Sequence, residues 1–196
     1  MTWVIVGLGN PDDEYIHTRH NAGRMAVEYF AKQHKLDEWK DDKKSRSFLL
    51  RGTLGRALVA CVLPNTYMNK SGTAVAHFVK SIKAAEKLVV VYDELALPLG
   101  SIKISFDRGS GGHRGIDSIL KAIKTRAFVR IRIGISPTNA AGETKKPQGE
   151  KDVEKFILGE FKSTELAALK AALKRTNEAL ETIITDGREK AMNSFN

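Results

Sequence analysis

The 196-residue chain carries a single cysteine, Cys61, so no disulfide can form within it. That excludes the stapled scaffold of small secreted domains and fits a reducing compartment. Cys61 lies in the middle of an apolar run and reads as a small buried hydrophobe. Long apolar runs are missing: the longest, Ala57 to Leu63, is far too short to cross a bilayer. No basic, apolar, small-residue leader opens the sequence, so a soluble cytoplasmic protein is expected. Internal repeats and low-complexity tracts are absent too.

Several catalytic signatures are also lacking. No Gly-x-Ser-x-Gly surrounds any serine, which leaves a serine-hydrolase mechanism without its nucleophile. Gly7-Leu8-Gly9 begins like a dinucleotide fingerprint, but Asp12 stands where the third glycine belongs and Pro11 interrupts the turn. The glycines at 109, 111, 112 and 115 are not followed by Gly-Lys-Ser/Thr. His17 and His20 are three apart, without a cysteine pair or a third clear ligand, so no metal and no cofactor are expected.

Acidic residues are in deficit, 23 against 32 Lys and Arg, a formal net charge of +9. Charge of that size speaks to an anionic partner rather than to fold. The excess is concentrated between Ser101 and Ile135, where eight basic residues face Asp107 and Asp117, a net of +6. Lys103, Arg108, Arg130 and Arg132 are the candidates there for phosphate contacts, weighed against an ordinary solvated face. The Lys35–Arg46 stretch, five basic residues against four acidic, reads as a solvated connection.

Hydrophobic periodicity supplies the architecture. Residues 2–7 read as a buried strand, and a helix follows from about Asn21 to His34. Ser47–Thr53 and Ala57–Leu63 flank a short turn as an antiparallel hairpin. A helix is expected over Ser71–Lys83, then the uninterrupted strand Leu88–Tyr92, which suits burial on both faces. Ile102–Phe106 and Arg130–Ser136 read as strands around a helix at Gly115–Lys124. Leu166, Leu169, Leu173, Leu180 and Ile184 mark a last amphipathic helix. The pattern predicts a single α/β domain: a mixed, mostly parallel twisted sheet with helices on both faces. The irregular segment 136–152 is expected to be a loop, a candidate mobile lid.

Polar clusters adjoin the apolar runs: Asn10-Pro11, Thr18-Arg19-His20-Asn21, Tyr67-Met68-Asn69, Asp93-Glu94 and the Gly/His cluster at 111–115. In such a sheet, residues just past the strand ends converge on the ligand crevice. Asp93 ends the most apolar strand, where an unpaired carboxylate is expensive to bury, and His20 is the obvious partner. A carboxylate holding one imidazole nitrogen leaves the other aimed as a general base, with water as nucleophile. A helix cap or a structural salt bridge is the competing reading of Asp93, and His34 and His77 are read as structural. Asn10 and Asn69 are uncharged amides suited to orienting a water or a carbonyl, though turn chemistry explains them equally. Met68 reads as core or as the apolar wall of a groove.

Taken together, the stretches Val6-Gly7-Leu8-Gly9-Asn10-Pro11, Tyr15-x-x-Thr18-Arg19-His20-Asn21-Ala22-Gly23, Met68-Asn69-x-Ser71-Gly72, Asp93-Glu94-Leu95-x-Leu97-Pro98 and Gly111-Gly112-His113-x-Gly115 resemble the bacterial-type peptidyl-tRNA hydrolase family. Thr185-Asp186-Gly187 fits as well, and the likeness spans nearly the whole chain. The resemblance implies a monomeric, metal-independent α/β enzyme that hydrolyses the ester joining a peptide to the 3′ end of tRNA. It implies His20 as catalytic base and Asp93 as its orienting partner. Asn10, Asn69 and His113 would position water and the ester, and Met68 and Tyr15 would line the site. Arg114 departs from the family's usual Asn; a guanidinium there suits a phosphate or stacking on the terminal adenosine. Two other readings stand beside this one: a non-catalytic RNA-binding module on the same scaffold, and an esterase acting on small acyl substrates.

Overall fold

The computed structural model describes residues 2–139 and 141–196. Seven strands form one sheet: β1 (Trp3–Gly7), β2 (Lys40–Asp42), β3 (Ser47–Leu54), β4 (Ala57–Pro64), β5 (Leu88–Pro98), β6 (Ile102–Phe106) and β7 (Val129–Ser136). Their order is β2-β3-β4-β1-β5-β7-β6. The four inner strands β4, β1, β5 and β7 are mutually parallel, while β2, β3 and β6 add antiparallel edges. Parallel strands need covered faces, and β1, β4 and the first half of β5 are correspondingly apolar.

Side-chain alternation along these strands builds two cores. Ile5, Val89 and Val91 point to one face and join α1 (Ala22–Gln33), α6 (Leu166–Thr185) and α7 (Arg188–Phe195). Val4, Val6, Val90 and Tyr92 point to the other, under α2 (Ser71–Phe78) and α4 (Arg114–Ile123). The short α3 (Ile82–Ala85) and α5 (Glu150–Ile157) complete the helices. Cys61 is fully buried in β4, and burial pushes its thiol up to about 12. Gly23 lets α1 lie directly on β5, since a methyl there would collide with the Val91 carbonyl.

The structure departs from the sequence reading in several places. The expected helix over Ser71–Lys83 stops at Phe78, because Val79 turns extended and Ser81 caps a new turn by accepting the Ala84 amide at 3.1 Å. The Lys35–Arg46 connection contains β2, paired with β3. Segment 136–152 carries an isolated bridge between Thr138 and Thr144, and its last residues open α5. In the last amphipathic helix Leu169, Leu180 and Ile184 are buried whereas Leu166 is half exposed, and the further helix α7 follows Gly187, whose φ of 97° makes the break.

Candidate active site

β1 ends at Gly7 beside Val91, and β5 runs on past it to Pro98. Asp93, expected at the end of its strand, therefore lies within it, opposite Ile133 of β7. The chain leaving β1 re-enters the same corner at the start of α1. Two asparagines lock that re-entry. Asn21 Nδ2 donates to the Asn10 carbonyl at 3.0 Å, and Asn21 Oδ1 accepts the Asn10 amide at 2.8 Å. His20 sits in the 3₁₀ turn Arg19–Asn21 just before α1, so its ring is held at the strand ends. Its Nδ1 lies 2.9 Å from Asp93 Oδ1 and 3.1 Å from Oδ2. An ionised carboxylate only accepts, so Nδ1 carries the proton and donates, and Nε2 is left as the basic nitrogen.

Asp93 is 3% exposed. Burial alone would raise its pKa, but the imidazoles of His20 and His113, each directing an N–H at it, outweigh that and hold the carboxyl well below the usual carboxylate range. His113 reaches the same carboxylate from α4, with Nε2 3.0 Å from Oδ1. As the N-cap of α4, its Nδ1 accepts the amides of Gly115 and Ile116 at 3.2 and 3.3 Å. That settles its tautomer: Nδ1 is the acceptor and Nε2–H the donor. Both ring nitrogens are therefore occupied within the protein.

The groove beside this cluster encloses about 470 Å³ and is lined by Asn10, Tyr15, Met68 and Asn69 along with His20, Asp93 and His113. Asn10 Oδ1 accepts the Met68 amide at 3.0 Å, so the end of the side chain that remains for a ligand is the Nδ2 donor. Asn69 is exposed on the rim, and Tyr15 is half-buried. Met68 is buried, with the backbone of Gly115 close against its sulfur; any side chain at 115 would strike it. The opposite wall comes from α5, through Val153, Glu154 and Ile157. Arg114 crosses the mouth to pair with Glu150, the first residue of α5, and both side chains are largely exposed.

His20, Asp93 and His113 each offer one ligand atom, all within 4.8 Å of one another. Among the described residues they form the one group of three or more such side chains that could hold a metal ion. An ion there would have to displace the two N–H···O bonds that now organise the carboxylate.

A second cavity, of about 420 Å³, gathers Lys103, Arg108, Arg130 and Arg132 with Tyr92 and Glu94. Strand register explains the grouping: Tyr92, Arg132 and Lys103 are neighbours across β5, β7 and β6, and Arg130 pairs with Ser105. Arg132 Nε donates to Glu94 Oε2 at 2.9 Å. Arg130 is 1% exposed; its Nη1 donates to the Gly109 carbonyl at 2.7 Å, while Nε and Nη2 have no partner.

Some contributors are not evident in the sequence. Asn21 was visible only as part of a polar cluster. Tyr67, 54% exposed on the groove rim, donates to Asp12 Oδ2 at 3.2 Å. Arg19 is buried and fastens the far end of α5: its Nη1 donates to the carbonyls of Gly159 and Glu160 at 3.2 and 2.7 Å, and its Nη2 to Glu165 Oε2 at 2.7 Å. Helix α5 had a signal in the spacing of Val153, Phe156 and Ile157, but the preceding Pro- and Gly-containing stretch masked it.

The family model for peptidyl-tRNA hydrolase matches residues 4–196. A peptidyl-tRNA hydrolase of Syntrophotalea carbinolica is 41% identical, covering 98% of this chain and 96% of that one. One from Carboxydothermus hydrogenoformans is 40% identical over 99% of this chain and 98% of its own. Among solved structures, peptidyl-tRNA hydrolase from Acinetobacter baumannii superposes with a TM-score of 0.88 at 33% identity, covering 100% of this chain and 94% of that one.

Proposed function

The chain belongs to the peptidyl-tRNA hydrolase family and acts on the ester of peptidyl-tRNA; we propose that it does so through water activated by His20. The observation that carries this mechanism is the His20–Asp93 pair, which commits Nδ1 to the carboxylate and leaves Nε2 as the base beside the groove. Nε2 takes a proton from water as its oxygen attacks the ester carbonyl carbon. The bond to the ribose oxygen then breaks, and the imidazolium returns a proton to that oxygen. The products are the free peptide acid and tRNA.

The remaining groups have separable duties. Asn10 Nδ2, its orientation fixed by the Met68 amide, donates to the ester or the attacking water, and Asn69 supplies a second amide at the rim. His113 acts through Asp93, since neither of its nitrogens is free for substrate. Met68 and Tyr15 line the wall against which the peptide lies, and Arg114 stands at the mouth for the RNA terminus once released from Glu150. Lys103, Arg108, Arg130 and Arg132 receive tRNA phosphates in the second cavity. The lid is α5, which lines the groove from Glu150 to Leu158, with the segment before it as its lead-in. Among the described residues no helix is long and apolar enough to cross a membrane; the translation-associated family is what favours a cytoplasmic place.

The deciding assay compares release of peptide from a peptidyl-tRNA with hydrolysis of a small free ester carrying the same acyl group. Hydrolysis of the tRNA ester alone supports the reading. Equal rates on both substrates favour a small-acyl esterase, and RNA binding without release favours a non-catalytic module.

A further inference from the structure

Helix α5 supplies one wall of the ester groove, yet none of its eight residues is buried. So short a helix has little stability of its own and takes its place from what holds its ends. At the N-terminal end the hold is the Arg114–Glu150 pair, both largely exposed, and exposed ion pairs stabilise little. The C-terminal end is held differently. Arg19 is 5% exposed and sends its guanidinium there: Nη1 donates to the carbonyls of Gly159 and Glu160 at 3.2 and 2.7 Å, and Nη2 to Glu165 Oε2 at 2.7 Å. The same group lies over the rings of Phe156 and Phe161, 4.5 and 5.4 Å from their centroids. A planar fork with two faces makes all these contacts at once, which a point-charge ammonium cannot do.

The backbone of Arg19 belongs to the turn that carries His20. Its amide donates to the Gly159 carbonyl at 3.0 Å, and Thr18 bridges to Glu160. From this one turn Arg19 reaches the end of α5, while the next side chain, His20, reaches Asp93. The spacing between the base and the wall is thus set by adjacent residues and a buried cation. Val153, Ile157 and Leu158 make the wall apolar, and Leu95 lines the groove with them.

We propose that Arg19 is a positioning residue that sets the width of the groove, and that the wall it holds selects peptides with apolar side chains near the ester. The inference rests on the peptidyl-tRNA reading and adds the class of peptide that the site prefers. Arg19 touches no substrate; it acts through Val153, Ile157 and Leu158. An apolar side chain that fills the space beside that wall holds the peptide in place while water attacks, and a peptide without side chains leaves the space unfilled.

The test measures wild type and Arg19→Lys on one tRNA bearing either an N-acetyl-dileucyl or an N-acetyl-diglycyl group. The two acyl groups share a backbone and differ only in side chains. Wild type should favour the dileucyl substrate in kcat/KM by roughly tenfold. Lysine keeps the charge and loses the fork, so Arg19→Lys should lose roughly three- to tenfold on the dileucyl substrate and stay within about twofold of wild type on the diglycyl one. Glu165 lies outside the groove, so Glu165→Gln weakens the clamp while keeping Arg19. It should show the same split, and it carries the test if Arg19→Lys does not fold. Equal losses on both substrates would make Arg19 merely structural, and no loss on either would free the wall from it. A wild type indifferent to the two acyl groups would remove the apolar selection. Each of these outcomes overturns the proposal. Failure of wild type to release peptide from either substrate would instead overturn the underlying reading.

Discussion

His20 Nδ1 and Asp93 Oδ1 meet at 2.9 Å although 73 residues separate them in the chain. The contact unites the turn before α1 with the middle of β5, and in the proposed mechanism it removes the need for a nucleophilic side chain. It also fixes the sign of every expectation about this site: the carboxylate stays ionised and accepts the Nδ1–H of the imidazole, which turns Nε2 away from it.

Removing the base should remove most of the chemistry. His20→Ala is expected to lower kcat about 10²- to 10⁴-fold while the binding of uncleaved substrate persists. Rapid-quench measurement of peptide release checks this, and near-normal turnover would eliminate the mechanism.

The depressed Asp93 carboxyl gives a linkage with a definite direction. A group whose pKa is lower in the folded state contributes stability above its unfolded pKa and loses it as pH falls toward the folded value. The unfolding free-energy difference between wild type and Asp93→Asn should thus stay level from pH 7 to 5 and shrink only below about pH 4. Urea titrations across that range provide the measurement. A difference that collapses already at pH 6 would mean that the carboxylate is not held as described.

Gly23→Ala should couple stability to activity. The added methyl strikes the Val91 carbonyl, two residues before Asp93, so α1 must move and carry His20 with it. Overpacking of this kind costs about 1–3 kcal/mol, and a shift at the base lowers kcat more than KM. Thermal melts and steady-state kinetics on one preparation test both effects, and a lower melting point with unchanged kcat would show that the His20–Asp93 contact adjusts independently of α1.

The basic cavity should be visible in salt dependence. Lys103→Glu or Arg108→Glu is expected to raise KM far more than it lowers kcat, because neither side chain tethers the segment before His113. Each should flatten the fall of log kcat/KM with log salt, by roughly one unit of slope for each phosphate no longer engaged. A slope that does not change places the RNA elsewhere.

A chelator should leave turnover as it is, whereas added Zn²⁺ should inhibit by entering between His20, Asp93 and His113, whose ligand atoms lie within 4.8 Å. Initial rates with and without EDTA, and with graded Zn²⁺, give the answer. Loss of activity on chelation, restored by metal, would reverse the account of this cluster.

Much was legible beforehand because strand and helix periodicities are local. The uninterrupted run Leu88–Tyr92 announces a strand buried on both faces, and Asp93 at its end announces a carboxylate that needs partners. The expected helix Ser71–Lys83 failed at one side chain, since the bond that Ser81 accepts from the Ala84 amide competes with helix continuation and periodicity does not register it. Arg130 looked like any other surface cation in a basic stretch, yet it is the most deeply buried of them.

The order of residue types along the chain determined which strands are central, which polar groups stand at their ends, and that the protein carries a concentrated positive charge, because these depend only on neighbours in sequence. Tertiary structure decided which nitrogen of each imidazole holds the proton, which end of Asn10 is free, and what the buried Arg130 holds. Those choices are made by partners brought in by the fold: Asp93 for His20, the Gly115 amide at the start of α4 for His113, Met68 for Asn10, Gly109 for Arg130. A hydrogen bond requires its partner in place before it can select a tautomer or an orientation, and only folding brings the partner there.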